Sequence, residues 1–277
     1  MKISQAIIFL AKETNRPLAE KVKNHLYSYN CNAQIITSFN DFKAWDPVGL
    51  LISLGGDGTL LKCMRYAAPH QIPVFGINCG TLGFLAACEK EDACATLAQF
   101  LEGSCTIQQR PMLQVKLFLP GKSSQFFTAF NDCILRAAAP RTLMVSAAWN
   151  DTKIPPYYGD GVIISTPTGS TAYSLAAGGP IVEPSVHVFV VTPICPHSLH
   201  QRPLVLPADG KLQLTPVLDY AEDRALLSLD GQTNLSLEPG ARLEIQIFKH
   251  PALLVCPPRR DFFTVLNRKL NWGERTC

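Results

Sequence analysis

The sequence predicts an α/β domain followed by an all-β domain. Three observations predict it. Short apolar runs alternate with helix-patterned stretches as far as about Gly103. Beyond that point helical patterning becomes scarce, and strand-like runs follow one another between turn residues. Two glycine-rich turns end apolar runs, and both lie in the first part.

The first part reads element by element. Ala6 to Leu10 is a strand, and Arg16 to Tyr29 an amphipathic helix with Leu18, Val22, Leu26 and Tyr29 on one face. Ala33 to Thr37 and Val48 to Leu54 are strands. Thr59 to Tyr66 is a helix, and Pro73 to Ile77 a buried strand. Glu91 to Leu101 is a helix with Cys94, Leu97, Ala98 and Leu101 as its inner stripe. Alternation of this kind implies a parallel sheet, and ligands of such sheets bind at the carboxyl ends of the strands.

In the second part the strand-like runs are Gln114 to Leu119, Gln125 to Asn131, Thr142 to Trp149, Gly161 to Ser165 and Val186 to Thr192. Lys211 to Pro216, Ala225 to Leu229 and Arg242 to Phe248 continue the series. Pro120-Gly121, Asn150-Asp151 and Pro155-Pro156 punctuate them as turns. Ser170 to Gly178 is a helical interruption, and Phe262 to Leu270 a closing helix expected to pack back on the first domain. The expected domains are 1–104, 105–260 and the helical tail 261–277.

The 277 residues suffice for two cores. With 47% hydrophobic and 17% charged residues the chain reads as globular, not disordered. A net charge of +3 is too small to argue for nucleic acid or a membrane surface as partner. No apolar run of about 18 residues predicts a membrane helix, and Met1 to Gln5 does not read as a signal peptide. Ten cysteines are scattered without a C-x-x-C pair. They read as small buried apolar groups in a reducing, cytoplasmic setting, and zinc-ligand spacing is missing.

The chemistry centres on Gly55-Gly56-Asp57-Gly58-Thr59, where an apolar strand meets a helix. Glycines let the backbone turn sharply and approach a ligand, and helix-start N–H groups suit phosphate. Asp57 is the odd residue, since a carboxylate beside phosphate is costly unless it handles a hydroxyl or a metal ion. A second turn, Asn78 to Leu85, repeats the glycine richness. In Gly159 to Pro180 a strand leads into crowded hydroxyls, Ser165, Thr166, Thr168, Ser170 and Thr171. They suit either a polar ligand or an N-cap with an ST-turn. Asn131-Asp132, placed at a strand end, suits ribose hydroxyls or a turn. His197 and His200 lack a third ligand and read as capping or exposed side chains. Arg110-Pro111 marks the domain change, and Arg259-Arg260-Asp261 reads as a solvated charge run. A Walker A pattern, a full G-x-G-x-x-G and a G-x-S-x-G elbow are all missing.

Together these segments resemble the NAD kinase family. The likeness rests on GGDGT at 55–59, NCGTLGFL at 78–85, Asn131-Asp132, DGVIISTPTGSTAYSLAAGGP at 160–180 and Asp230-Gly231-Gln232. Thr192 to Leu199 and Arg202 to Leu206 add to it. The STPTGSTAY stretch is the most specific, whereas GGDGT is shared with lipid kinases and phosphofructokinases. The resemblance implies a Rossmann-like α/β domain plus a β-sandwich with the site in the cleft between them, in a homodimer or homotetramer. It implies phosphorylation of the adenosine ribose 2′-hydroxyl of NAD, giving NADP, with ATP, another nucleoside triphosphate or polyphosphate as donor and a divalent cation such as Mg²⁺. Its metal ligands are not implied.

By the same resemblance Asp57 is the base, with the backbone of Gly55, Gly56, Gly58 and Thr59 and the side chain of Lys62 toward the donor phosphates. Gly58 also borders NAD. Asn131 and Asp132 meet ribose hydroxyls, although the family often carries Glu at the second position. Asp160 meets the nicotinamide ribose or amide. Thr171, Ala172, Tyr173 and Ser174, with Leu175 and Ala176, line the adenine pocket. Gln232, Arg141, Cys195 and Phe84 are further contacts, Arg141 only after a one-residue gap. Tyr158 replaces a frequent Arg or His. The rivals are a lipid kinase on the same glycine turn, which should show a greasy or basic surface segment, and a non-catalytic NAD sensor, which intact Asp57 opposes.

Overall fold

A computed structural model describes residues 3–41, 47–80, 83–258 and 260–273. The chain divides into two units, Met1–Arg110 with His250–Cys277, and Pro111–Lys249. Among the described residues no helix is long and apolar enough to cross a membrane.

The first unit is built on strands Gln5–Leu10 (β1), Asn32–Ile36 (β2), Leu50–Gly55 (β3), Pro73–Asn78 (β4), Cys88–Glu89 (β5) and Thr106–Arg110 (β6). Its helices here are Arg16–Ser28 (α1), Asp57–Ala67 (α2) and Ala93–Leu101 (α3). β2, β1, β3 and β4 lie side by side in that order, all parallel. β1, β3 and β4 are buried along nearly their whole length, as parallel strands covered on both faces must be. α1 carries Pro17 in its first turn and seats Ala19, Val22 and Leu26 on the sheet. α3 buries Ala93, Thr96, Leu97 and Phe100. The expected stripe of Cys94, Leu97, Ala98 and Leu101 is therefore displaced by about one position. Phe100, the largest side chain of the helix, takes the core place beside Phe75, with ring centroids 6.2 Å apart.

The second unit is all strand except near its hydroxyl-rich segment. Its strands are Leu113–Phe118 (β7), Gln125–Ala129 (β8), Asp132–Ala137 (β9), Leu143–Trp149 (β10), Thr152–Gly159 (β11) and Gly161–Ser165 (β12). Val188–Ile194 (β13), Leu204–Pro207 (β14), Leu212–Val217 (β15), Ala225–Leu229 (β16), Thr233–Leu237 (β17) and Arg242–Ile247 (β18) follow. They form two antiparallel sheets, β11-β10-β15-β18-β7-β8 and β14-β13-β12-β9-β16-β17. Val115, Val145, Leu214 and Ile245 of one sheet share a core with Leu135, Ile164, Val191 and Leu227 of the other, a sandwich. Period-two burial in β7 and β15 matches the alternation in their sequence.

Two turn expectations separate here. Asn150 and Asp151 do form the β10–β11 turn, both at positive φ (46° and 66°). Pro155 and Pro156, also expected to turn the chain, lie inside β11 instead. They fall where the β10–β11 register shifts, between the Val145–Tyr157 and Ala147–Ile154 pairs, and β11 is an edge strand, so the missing N–H groups interrupt no ladder pair. The expected helix 170–178 is shorter, a 3₁₀ turn at Thr168–Thr171 followed by Tyr173–Ala176 (α4).

The chain then returns to the first unit as Ala252–Cys256 (β19) and Phe262–Leu270 (α5). β19 pairs with β4 in parallel and with β6 antiparallel. β6 and β19 thus belong to the first unit's sheet, which moves residues up to Arg110 and from His250 out of the second domain expected over 105–260. α5 begins at Asp261, whose carboxylate accepts from the Thr264 N–H at 2.9 Å and the Thr264 hydroxyl at 2.6 Å. Arg259 lies outside the described residues.

Candidate active site

In the first unit the β3–α2 junction places Asp57 at the first position of α2, with Gly56 as an N-cap that offers no side chain. None of Gly55, Gly56 and Gly58 adopts a positive φ. Gly55 serves here by small size, not by left-handed backbone, whereas a Cβ on Gly56 would meet nothing within 4 Å. A Cβ on Gly55 would lie 2.7 Å from that of Thr59. Asp57 is half-buried, and its carboxylate accepts the Phe84 N–H at 2.7 Å and the Leu85 N–H at 3.3 Å. A Cβ on Gly83 would stand 2.6 Å from Asp57 Cγ, so the second glycine turn closes directly onto the carboxylate. Thr81 and Leu82 of that turn lie outside the described residues. Asn78 anchors its near end, donating to Gly80 O at 3.1 Å and Glu89 Oε2 at 2.6 Å.

Arg260, read from sequence as solvated, is half-buried, and Nη2 donates to Gly83 O at 3.4 Å. Burial pulls its guanidinium below the ordinary value, and the Cys256 thiol and Asp57 carboxylate pull it partly back. It lines a cavity of about 380 Å³ with Gly83, Glu89, Thr264 and Arg268. Lys62, assigned by resemblance to phosphate, has its ammonium over the rings of Phe9 (5.2 Å) and Phe39 (6.0 Å). Phe84 carries Lys269 at 6.0 Å from its ring and gives Asp57 its backbone N–H.

In the second unit Asn131 and Asp132 do not end a strand. They sit where the chain crosses from β8 in one sheet to β9 in the other. The Asp230 carboxylate clamps this crossing, accepting the N–H groups of Phe130 (3.0 Å), Asn131 (2.7 Å) and Asp132 (3.2 Å). Asp132 is only 4% exposed, and burial first, then the Asp230 charge, push its carboxyl up to about 7.

The hydroxyl-rich segment rests on the same crossing. Thr166 N–H donates to Asn131 O at 2.9 Å, and its hydroxyl donates to Phe130 O at 2.8 Å. A Cβ on Gly169 would lie 2.7 Å from Asn131 Cα, so a side chain there would push the two apart. Ser165 pairs with Asp132 in the β12–β9 ladder. Asn131 Oδ1, Ser165 Oγ and Thr168 Oγ1 are buried with no hydrogen-bond partner among the described residues. An unmade bond at such an atom costs about 1–3 kcal/mol, so these three atoms of the crossing and its hydroxyl segment are open to a polar ligand or ordered water.

The remaining residues divide between display and support. Tyr173 is 42% exposed. It lines a cavity of about 600 Å³ together with Asp160, Arg141 and His197. Thr171, Ala172 and Leu175 are half-buried, and Ala176 is exposed. Ser174, expected to line a pocket, is fully buried and hydrogen-bonded to Thr192 Oγ1 at 2.8 Å, so its hydroxyl braces the segment. Thr171 Oγ1 donates to Thr168 O at 3.2 Å, the ST-turn alternative. Arg141 lies 3.9 Å from Asp223. Cys195 is exposed at φ 43°, and Gln232 is exposed just after the Asp230-Gly231 turn. Tyr158 stacks edge-on against His197 at 5.3 Å. Sequence reasoning missed the backbone donors of Phe84 and Leu85, the clamp by Asp230 and the placement of Arg260. Asp230 had a signal in the Asp230-Gly231-Gln232 motif, and Phe84 and Leu85 lay within the second glycine turn, 78–85, though nothing marked their N–H groups as donors to Asp57.

Residues 8–105 match the family described as the ATP-NAD kinase N-terminal domain, and residues 131–256 its C-terminal domain. The chain belongs to the NAD kinase family. The NAD kinase of Heliobacterium modesticaldum is 40% identical over 226 residues, 81% of this chain and 79% of that one. That of Symbiobacterium thermophilum is 42% identical over 230 residues, 82% and 80% of the two chains. Among solved structures, yeast NADH kinase complexed with NADH superposes with a TM-score of 0.88 at 27% identity, covering 99% of this chain and 90% of that one. An Archaeoglobus fulgidus NAD kinase in complex with ATP shares the fold at a TM-score of 0.77 and 22% identity, covering 95% and 98%. Both domain matches set aside a lipid kinase. As an NAD kinase the chain is an enzyme that phosphorylates NAD to NADP, with ATP as donor.

Proposed function

We propose that Asp57 receives the proton of the adenosine ribose 2′-hydroxyl of NAD as that oxygen attacks the terminal phosphorus of ATP. The new O–P bond forms, the bond to the bridging oxygen breaks, and ADP leaves. What carries the reading is the Asp57 carboxylate, held by two backbone N–H groups at the start of α2. Phosphoryl transfer asks mainly for position and charge stabilisation, and a fixed carboxylate at a helix N-terminus beside small residues suits both. The backbone from Gly55 to Thr59 receives the donor phosphates, and Lys62 remains the cation nearest to them in sequence on α2.

A divalent cation such as Mg²⁺ fits this donor set. Mg²⁺ is commonly held by one or two carboxylates plus substrate phosphates, and with no ligand cluster among the described residues the ATP phosphates would supply most of its ligands beside Asp57. When bound, the cation offsets phosphate charge.

In the second unit Asn131 and Asp132 take ribose hydroxyls. The partnerless Asn131 Oδ1 supports this, since a sugar hydroxyl would satisfy it. Asp132, titrating near 7, is able either to donate or to accept. Tyr173 offers a ring to the adenine beside Thr171, Ala172, Leu175 and Ala176, while Asp160, Gln232, Arg141 and Cys195 are outer contacts. Nucleoside triphosphates other than ATP, polyphosphate, and NADH as acceptor belong to the same reading. So do a cytoplasmic setting and a homodimer or homotetramer, which light scattering of the purified chain reads directly.

The test is NADP formation from NAD, ATP and Mg²⁺. Asp57→Asn should still bind NAD and lose turnover by roughly 10²–10⁴-fold. Near-wild-type turnover in that variant would show that Asp57 is not the proton acceptor.

A further inference from the structure

We infer that Arg260 is a positioning residue for Asp57, acting through a single peptide group. The inference rests on the reading of Asp57 given above. The carbonyl of Gly83 and the N–H of Phe84 belong to one amide. Arg260 Nη2 donates to its oxygen at 3.4 Å, and its N–H donates to the Asp57 carboxylate with N···O 2.7 Å. A cation at the oxygen end polarises the amide and strengthens donation at the nitrogen end, because hydrogen bonds in a chain reinforce one another. The bond at 3.4 Å is long, so the contribution of Arg260 is as much field as direction.

Three features make this a built arrangement. Arg260 is half-buried, so its field is less screened than that of a surface arginine. Gly83 packs so close to Asp57 that a Cβ there would stand 2.6 Å from the carboxyl carbon, which seats the gripped amide against that carboxyl. The segment carrying Arg260 is fixed on both sides, by β19 pairing with β4 and by the Asp261 cap of α5. The C-terminal segment thereby reaches the first glycine turn through the second one. Arg260 need not touch either substrate.

The experiment is a double-mutant cycle on the full-length enzyme. Arg260→Gln should lower kcat by roughly ten- to a hundredfold, the range for removing a group that orients a functional ligand. KM for NAD and for ATP should hold. Arg260→Lys should fall between wild type and Gln. In an Asp57→Asn background Arg260→Gln should cost almost nothing further, since its effect runs through the carboxylate. Added guanidinium should raise the turnover of Arg260→Ala above a sodium chloride control of equal ionic strength, entering the cavity the side chain vacates. The discriminating readouts against a purely structural role are the kcat loss at constant KM and the absence of a further loss in the Asp57→Asn background.

The proposal is overturned if Arg260→Gln keeps wild-type kcat, if it raises only KM for ATP, or if its effect adds in full to that of Asp57→Asn. Should Gln not fold, Arg260→Lys is judged by the same split, and an unchanged kcat there overturns the proposal. Failure of the Asp57 reading looks different. In that case Asp57→Asn alone retains turnover, whatever Arg260 does.

Discussion

Gly83→Ala is the sharpest perturbation available. Gly83 is not in the left-handed region, so the backbone tolerates alanine and any effect must come from the new methyl. That methyl would lie 2.6 Å from Asp57 Cγ and 2.9 Å from Oδ2, where ordinary contact begins at 3.4 Å. Either the carboxylate or the turn must retreat by about one ångström. Retreat stretches the bonds from Phe84 and Leu85, now 2.7 and 3.3 Å, and hydrogen bonds to charged groups are worth about 1.5–3 kcal/mol each. Misplacement on that scale at a reacting group costs about 10²-fold. The expected outcome is a kcat about a hundredfold lower with NAD affinity by calorimetry unchanged. NADP formation is followed by a coupled dehydrogenase, and folding is checked by circular dichroism. A folded Gly83→Ala enzyme within about threefold of wild-type kcat would refute the contact between this turn and the working carboxylate.

Other outcomes follow from the second unit. Asp132 titrates near 7 in the folded chain against an ordinary 3.8, so between those values the folded state holds a proton the unfolded state has lost. The stability it contributes is full below about pH 4 and lost as pH rises to 7, on the order of 4 kcal/mol. Asp132→Asn should therefore gain Tm relative to wild type as pH goes from 4 to 8, and a pH-independent difference would contradict the burial argument. Asp230→Ala strips an acceptor from three N–H groups, and should raise KM for NAD at least about tenfold while lowering Tm. An unchanged KM would show that the clamp does not position Asn131. Phe189→Ala, at a fully buried site edge-on to Trp149, should cost about 3–5 kcal/mol in urea unfolding, and a loss under 1 kcal/mol would contradict the packing.

What sequence alone could reveal followed from local signals. Period-two runs such as Leu113–Phe118 and continuous apolar runs such as Leu50–Gly55 announced themselves because burial leaves a local imprint. β6, β14 and β17 did not. They border their sheets, much of each is exposed, and Thr-Ile-Gln-Gln-Arg reads as loop. The internal, buried strands β9 and β19 also went unread, so burial alone did not make a strand legible. β11 was hidden by its two prolines. In the site, Asp57 and the hydroxyl segment were visible as unusual chemistry in an apolar context. Their partners were not, because a backbone N–H carries no letter in the sequence. Phe84 reaches Asp57 across 27 positions, and Asn131 reaches Asp230 across 99. Arg260 was misjudged because a run of charges looks the same whether one member turns inward or not.

Pro155 and Pro156 carry a consequence for solubility. The pair takes one donor from the outer rim of β11 and sits in a shift of the β10–β11 register, and both features make a regular ladder with an extended foreign peptide harder to form. Restoring donors with a Thr-Val pair would turn that rim into a template for runaway stacking, visible as fibrils by thioflavin fluorescence under conditions where the natural chain stays clear.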